Sequence, residues 1–500
     1  MSSTSKKVIV IGAGFAGLST ASFLAKMGWE VTVIEKHDLP GGRARKFKAE
    51  GFTFDMGPSW YWMPDIFERY FNSFGKKVSD YYALKRLDPS YRVYFEKAQW
   101  DIPANYEALQ QLLESIEPGA AKALDGFMEE AKFKYEVGVG KLVHQPGQSL
   151  TELIDIDLFK GIFKLDVFQS MKKHIAKYFK HPYIQFLMEF PVLFLGALPE
   201  NTPALYSLMN YADIKGGTWY PEHGMYSIVK GMHALAVSLG VEFKLGEEVT
   251  KIEVINGVAK KAYTRVVETK ENRAYDFDII VGAGDYHHIE TVLLEPAYQS
   301  YSKKYWDTRV MAPSSLLYYV GLNKKLPGVT HHSLFFDTDF GVHGKEIYTN
   351  PQWPSHPLFY ASVPSVTDPT VAPEGCENLF LLIPVAAGLE GDTEAVREKY
   401  FKDLIGRLEV KWGVSIMESI VYKRSFSVAD FKSDYHSFKG NAYGLANTLM
   451  QTANLKPSCR SKKVNNLYYT GQLTVPGPGV PPSLISGEVV ANLIDKNYSK

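Results

Sequence analysis

The sequence predicts an α/β fold. It reads as a Rossmann-type dinucleotide-binding domain assembled from discontinuous segments, with a mixed-sheet domain beside it and a helical insert. Three observations predict this. An apolar run, Val8 to Ile11, leads into Gly12, Gly14 and Gly17 at G-x-G-x-x-G spacing, and a second apolar run ends at Glu35. A further short run, Ile279 to Gly282, reads as a strand returning to the same unit. Between residues 300 and about 440, strand-like runs such as Ser315 to Gly321 and Leu379 to Val385 alternate with Pro- and Gly-rich turns.

The first element has a physical job at each position. Gly12 permits the tight turn out of the strand, Gly14 lets main chain approach a pyrophosphate, and Gly17 lets the helix settle on the sheet. Ala13, Phe15 and Ala16 fill the intervening positions, so the helix start offers free N–H groups and a positive dipole end to phosphate. Glu35, at the end of the second strand, stands where a carboxylate accepts hydrogen bonds from ribose hydroxyls, with Lys36 beside it. Gly41, Gly42, Arg43 and Ala44 then form a second turn at which main chain can close on a dinucleotide and a guanidinium can pair with its phosphates.

Downstream, aromatic residues crowd the stretch from Trp60 to Phe74, and the Phe67–Phe74 portion has helical spacing. Tyr91 to Phe95 reads as a strand, and 105–120 and 124–137 as helices of the insert. Lysines alternate with apolar residues in Phe159–Lys164 and Met171–Lys180, ahead of an apolar stretch from Tyr183 to Leu198 broken by Glu189 and Pro191. This pattern reads either as a solvated helix face on a buried one or as an interfacial helix lying on anionic lipid. Tyr226 to Leu239 is a predicted helix, and Val241–Leu245 and Glu248–Ile252 read as paired strands. The run at Ile279 to Gly284 lacks the third glycine of a nucleotide turn, since His287 stands there, so one dinucleotide site is expected. Thr393 to Trp412 is a predicted helix. At the far end a strand enters a Gly- and Pro-rich turn, Gly471 to Pro481, and a helix begins near Pro482.

Composition narrows the function classes. The formal net charge is zero, which argues against a nucleic-acid surface. Cys376 and Cys459 lie far apart, and the adjacent pairs His287-His288 and His331-His332 point apart along any strand or helix, so no metal site is expected. The polar start of the chain is not expected to act as a signal peptide, and no apolar run of about 20 residues predicts a membrane span. Aromatic content of 14% is high and implies a use for flat apolar side chains.

The glycine turns together with Gly51 to Ser59 resemble the flavoprotein superfamily of amine oxidases, protoporphyrinogen oxidase and carotenoid desaturases. The resemblance implies FAD as the cofactor. It implies that Gly57, Pro58 and Ser59 pass close to the flavin ring, that Val249 meets the adenine through its backbone, and that Gly282 belongs to the cofactor domain. The C-terminal motif is similar to that of the bacterial-type phytoene desaturases, a strand and Gly followed by Pro-Gly-x-Gly-hydrophobic-Pro. Gly471, Pro476, Gly477, Gly479 and Val480 match, whereas Gln472, Leu473, Val475 and Pro478 depart from the family pattern. Gly471, Gln472, Gly479, Val480 and Pro481 are thereby expected to close the cofactor site.

What the family implies is desaturation of a C40 carotene, phytoene toward lycopene, without an acid–base dyad. A carotenoid 3,4-desaturase, a carotenoid isomerase, an amine or porphyrinogen oxidase, or a non-enzymatic FAD-binding escort protein are the alternatives. The expected partners are a hydrophobic polyene, a membrane surface, and oxygen or a quinone as electron acceptor. The expected location is cytoplasmic, on the inner face of the cell membrane. The expected division is 1–88, 216–300 and 441–500 for FAD, 89–215 for part of the substrate domain and the insert, and 301–440 for the mixed sheet.

Overall fold

The computed structural model describes residues 6–140, 142–147, 169–193, 196–448, 451–452 and 455–498. A five-stranded parallel sheet runs in the order Leu467–Tyr469, Ile279–Gly282, Lys7–Ile11, Glu30–Glu35, Glu242–Leu245. Its central strands are buried on both faces, which is why they read as continuous Val and Ile rather than as an alternation. The helix Phe15–Lys26 crosses the helix Val480–Tyr498 closely enough that a Cβ on Gly487 would lie 2.5 Å from Ser19 Cβ. Ser19 Oγ donates to the Leu484 carbonyl across that crossing at 2.7 Å.

The expected pairing of Val241–Leu245 with Glu248–Ile252 does not form. Only Gly246, at φ +69°, separates strands Glu242–Leu245 and Glu247–Ile255, one residue short of the shortest common hairpin. The first strand therefore continues the parallel sheet beside Glu30–Glu35. The second starts a separate antiparallel sheet with Val258–Val266 and Asn272–Asp276. Phe277 and Asp278 separate the last of these strands from Ile279–Gly282, which joins Lys7–Ile11 in parallel, as expected for a returning strand.

The second large sheet has seven strands in the order Ile420–Phe426, Ser314–Leu322, Glu377–Val385, Phe359–Ser362, His332–Phe336, Tyr91–Phe95, Gln99–Ile102. All pairings are antiparallel except that of His332–Phe336 with Tyr91–Phe95. Alternate residues of these strands face opposite sides. Leu316, Tyr318, Leu381 and Ile383 meet the helix Glu394–Trp412, which Thr393 caps at one end and Gly413 at the other. Leu317, Tyr319, Leu382, Leu334 and Tyr360 instead join the core shared with the glycine-turn half.

In the helical insert, Tyr106–Ile116, Ala120–Gly138, Met171–Tyr178 and Pro182–Leu193 are helices. The Met171–Tyr178 helix buries Met171 and Ile175 and leaves Lys172, Lys173 and Lys177 exposed. Ile184, Met188 and Phe190 are buried as well. The apolar half of this region is therefore spent on the core, and the Phe159–Lys164 stretch lies outside the described residues. Among the described residues, no helix is long and apolar enough to cross a membrane.

Candidate functional site

The two glycine turns meet. Gly12, at φ +103°, ends its strand, and its N–H donates to the Ile34 carbonyl at 2.8 Å. A Cβ on Gly17 would lie 2.0 Å from Gly12 O, so only glycine allows the helix so near the turn. Gly41 and Gly42, at φ +121° and +54°, fold the second turn onto the first. Gly41 N–H donates to Ala13 O at 2.8 Å, and a Cβ on Gly42 would stand 3.4 Å from Gly14 Cα. On Gly14 itself a Cβ would meet nothing within 4 Å. The result is a cradle walled by main chain and open at Gly14. Its floor is the start of the Phe15–Lys26 helix, where Leu18 N–H is the first to bond back within the helix, to Gly14 O at 2.9 Å. The amides of Phe15, Ala16 and Gly17 are thus left without intrahelical partners, and no acidic residue stands in the first turn.

Glu35, 5% exposed, ties this turn to the second strand. One carboxylate oxygen accepts from Ala13 N–H at 2.8 Å and the other from His37 N–H at 3.0 Å. A carboxylate has acceptor sites beyond those two, so it can also receive ribose hydroxyls. Lys36 reaches the Ser433 carbonyl at 3.2 Å. Next to it His436 bonds Glu248 at 2.8 Å, and this hydrogen bond holds the Glu248 carboxyl down at about 2. His288 stacks on His436 at 4.0 Å, and burial pushes its ring down to about 4. Val249 follows Glu248 at a register break in the strand pair, where Thr250 falls outside the ladder.

Arg43 is turned toward the 435–441 segment. Its Nη2 donates to Ser437 Oγ at 2.9 Å and to the Asn441 carbonyl at 3.3 Å, while its buried Nε has no hydrogen-bond partner among the described residues. Burial lowers its pKa and the nearby Asp285 carboxylate opposes that. Ala44 is buried behind it, and a Cβ on Gly57 would lie 2.6 Å from Arg43 O, which brings the Gly57-Pro58-Ser59 turn directly onto the cradle. From the far end of the chain, Gln472 donates to Asn441 Oδ1 at 3.0 Å and Gly471 approaches Ala16. Gly282 is needed for space, since a Cβ there would stand 2.7 Å from Ile289 Cδ1. The final helix starts at Val480, and Pro481 and Pro482 carry no N–H, so its first turn offers fewer donors than an ordinary helix start.

These features fit a dinucleotide: open space at Gly14, unpaired amides beneath it, an unpartnered guanidinium nitrogen at Arg43, and an acid at the second strand. A wall of rings begins one residue past Ser59. Trp60 stacks on His332 at 4.2 Å and 11°, and lies 5.4 Å from Tyr91 and 5.5 Å from Tyr360. Phe190 touches Tyr91 at 5.3 Å, Trp62 at 6.1 Å and Phe336 at 6.0 Å. The wall is thus drawn from the Trp60–Trp62 segment, three strands of the mixed sheet and the Pro182–Leu193 helix.

Comparison with known proteins agrees with this arrangement. The family model described as flavin containing amine oxidoreductase matches residues 15–495. The chain belongs to that family. A carotenoid 3,4-desaturase of Haloarcula japonica is 40% identical over 97% of this chain and 97% of its own. A zeta-carotene-forming phytoene desaturase of Myxococcus xanthus is 29% identical over 98% of this chain and 94% of its own. A crystal structure of an oxidoreductase from Methanosarcina mazei has the same fold, with a TM-score of 0.61 and 17% identity over 97% of this chain and 100% of that one. Membership of this flavin family makes the protein an FAD-dependent oxidoreductase, and the open main-chain cradle at Gly14 fits such a cofactor.

Several groups of this flavoenzyme carry no local sequence signal. Asp55 accepts from the amides of Met225 at 2.7 Å and Tyr226 at 3.0 Å, anchoring the start of the Tyr226–Ser238 helix, and burial pushes its carboxyl up to about 6. Asp213 accepts from Tyr91 at 2.7 Å and from Thr218 at 3.3 Å behind the aromatic wall, and burial pushes it up to about 7. Lys456 donates to Asn447 at 2.9 Å beside Gly477, and burial lowers it to about 7. Asp55 meets main chain far along the sequence, Asp213 meets the distant Tyr91, and Lys456 meets a neutral side chain, so nothing in the local pattern marks them. His331 and His332 are buried, at 5% and 0% exposure.

Proposed function

We propose that the protein desaturates a C40 carotenoid, inserting a double bond at the 3,4 position. The observation that carries this reading is the aromatic wall that starts at Trp60, directly beyond the Gly57-Pro58-Ser59 turn on the cradle. A polyene without charges has to be held by flat apolar surface, and these rings supply it. The position of the new bond is supported by the relative at 40% identity, and by Gln472, Leu473, Val475 and Pro478, which depart from the phytoene desaturase pattern. Desaturation of phytoene toward lycopene is the second reading, favoured by the phytoene desaturase at 29% identity.

In this reading the Gly12–Gly17 and Gly41–Ala44 turns hold the pyrophosphate, and Glu35 holds the ribose. Gly57 to Ser59 and Gly471 to Pro481 border the flavin ring. We assign 1–88, 216–300 and 441–500 to the cofactor half and the remainder to the substrate half. Bound FAD supplies the two-electron chemistry that takes a hydride from one carbon as a proton leaves its neighbour. The chain's own contribution is to orient the polyene and exclude water. Oxygen or a quinone takes up the electrons, and the substrate comes from the cytoplasmic face of the cell membrane.

The test is anaerobic mixing of the FAD-loaded protein with liposomes that carry either lycopene or phytoene. Loss of the oxidised-flavin absorption with lycopene, together with a 3,4-didehydro product, is the expected result. Bleaching by phytoene alone would shift the assignment to the second reading, and no bleaching with either would sink both.

A further inference from the structure

Away from the cradle, a pocket of about 780 Å³ is lined by residues between Tyr301 and Val310, by Thr448, Gln451 and residues of 455–462, and by Gly147. Its described lining carries four cations, Arg309, Lys456, Arg460 and Lys462, and no carboxylate. None of the four makes an ion pair among the described residues. Arg309 lies over the Tyr305 ring at 4.4 Å and donates to Thr308 Oγ1 at 3.3 Å, and its buried Nε has no hydrogen-bond partner among the described residues. Lys462 lies over the Tyr301 ring at 4.3 Å. Arg460 donates to the Asn465 carbonyl at 3.3 Å, and Lys456 has Asn447.

Two carboxylates beside lining residues, Glu290 against Tyr301 and Asp307 next to Thr308, are already committed. Glu290 accepts from the amides of Ser300 and Tyr301 and from the Tyr469 hydroxyl, and Asp307 pairs with Lys303 at 2.6 Å. Three cations without an ion pair, Arg309, Arg460 and Lys462, around one concavity with Lys456 at its floor call for an anion.

Two further lining residues say which kind. Val310 is 46% exposed and Leu455 51% exposed, and Tyr301 and Tyr305 stack between the cations at 4.3 Å. Cations, tyrosines and exposed aliphatic side chains on one surface are the composition of a bilayer interface. The Met171–Tyr178 helix lacks this combination, since its lysines are exposed but Met171 and Ile175 are buried.

We propose that this pocket seats the phosphate headgroup of an anionic phospholipid, docking the protein on a bilayer with Val310 and Leu455 entering the interface. The floor of the pocket is Lys456, whose Nζ would stand 3.1 Å from a Cβ on Gly477. Docking therefore takes place directly behind the Gly471–Pro481 turn. The purpose of docking rests on the proposed carotenoid substrate, but vesicle binding is read without substrate, so either idea can fail alone.

The test is co-flotation of the FAD-loaded full chain with vesicles of phosphatidylcholine alone and of phosphatidylcholine containing phosphatidylglycerol. Binding is expected only with phosphatidylglycerol. It should weaken about fivefold for each of Arg309→Gln and Lys462→Gln and weaken again with Leu455→Asp, while circular dichroism and flavin content stay unchanged. Lys172→Gln, Lys173→Gln and Lys177→Gln together should leave binding intact. Undiminished flotation of the Arg309→Gln/Lys462→Gln double variant would overturn the proposal, as would loss of flotation in the lysine triple. Calorimetry with inorganic phosphate separates a soluble anion from a headgroup. Phosphate binding that the double variant loses while its flotation persists would also overturn the headgroup assignment.

Discussion

In the cradle, the surface offered to a ligand is main chain, contributed by two turns whose nearest members, Gly17 and Gly41, are 24 positions apart, and joined by a hydrogen bond from Gly41 N–H to Ala13 O. In the aromatic wall, the surface is side chain, and Trp60, Tyr91, Phe190, His332 and Tyr360 are collected from five separate segments. The first kind of site tolerates almost no substitution because side chains are what it excludes. The second can exchange one ring for another of similar volume and remain a wall. A family can therefore hold its cofactor in one way while changing what it oxidises.

The comparison breaks most severely at Gly17. Gly17→Ala places a Cβ 2.0 Å from Gly12 O and should cost more than about 4 kcal/mol, so that little folded protein is recovered. Gly14→Val sharpens the point, because nothing lies within 4 Å of a Cβ there. That variant should fold with an unchanged far-ultraviolet circular dichroism spectrum yet purify colourless, and full flavin content would contradict the placement of the pyrophosphate. On the wall side, Phe190→Ala should lose about 3–4 kcal/mol of stability in denaturant titration while retaining flavin. Its turnover should fall further than its flavin content, and equal losses would dissolve the distinction between the two regions.

Asp55→Ala removes the acceptor of the Met225 and Tyr226 amides and should cost about 1–2 kcal/mol, read as a lower Tm. At Lys456 the effect is a slope with pH. Its folded pKa, about 7, lies below the ordinary 10.5, so between those values the unfolded chain binds the extra proton. Stability should rise with pH across that window by up to about 1.4 kcal/mol per unit, and Lys456→Met should flatten the rise. An unchanged slope in that variant would remove Lys456 as its source.

The legibility of the two regions in the sequence differs for the same physical reason. A tight turn, a close helix approach and a strand-end acid are local demands on main chain, and Gly12, Gly14, Gly17 and Glu35 state them within one stretch. The strand at Ile279 and the helix at Thr393 announce themselves through apolar runs and caps. Partner choice is not local. Nothing near Arg43 tells that its guanidinium meets Ser437 and Asn441, and the two strands flanking Gly246 look like a hairpin until the single linking residue is weighed against what a hairpin needs. The lysine-rich helix at Met171 shows the same gap, since its pattern alone leaves open whether bilayer or core takes the apolar face.

The hydrogen bond from Ser19 to the Leu484 carbonyl spans 465 positions of chain. At roughly 5–20 residues per second, a ribosome needs on the order of half a minute to a minute and a half to make that span. For all of that time the helix beneath the cradle lacks the helix that buries its outer face, and Ile279–Gly282, once made, stays a bare strand edge until Leu467–Tyr469 follows. Loading of the cofactor is thus a late event in the life of each molecule.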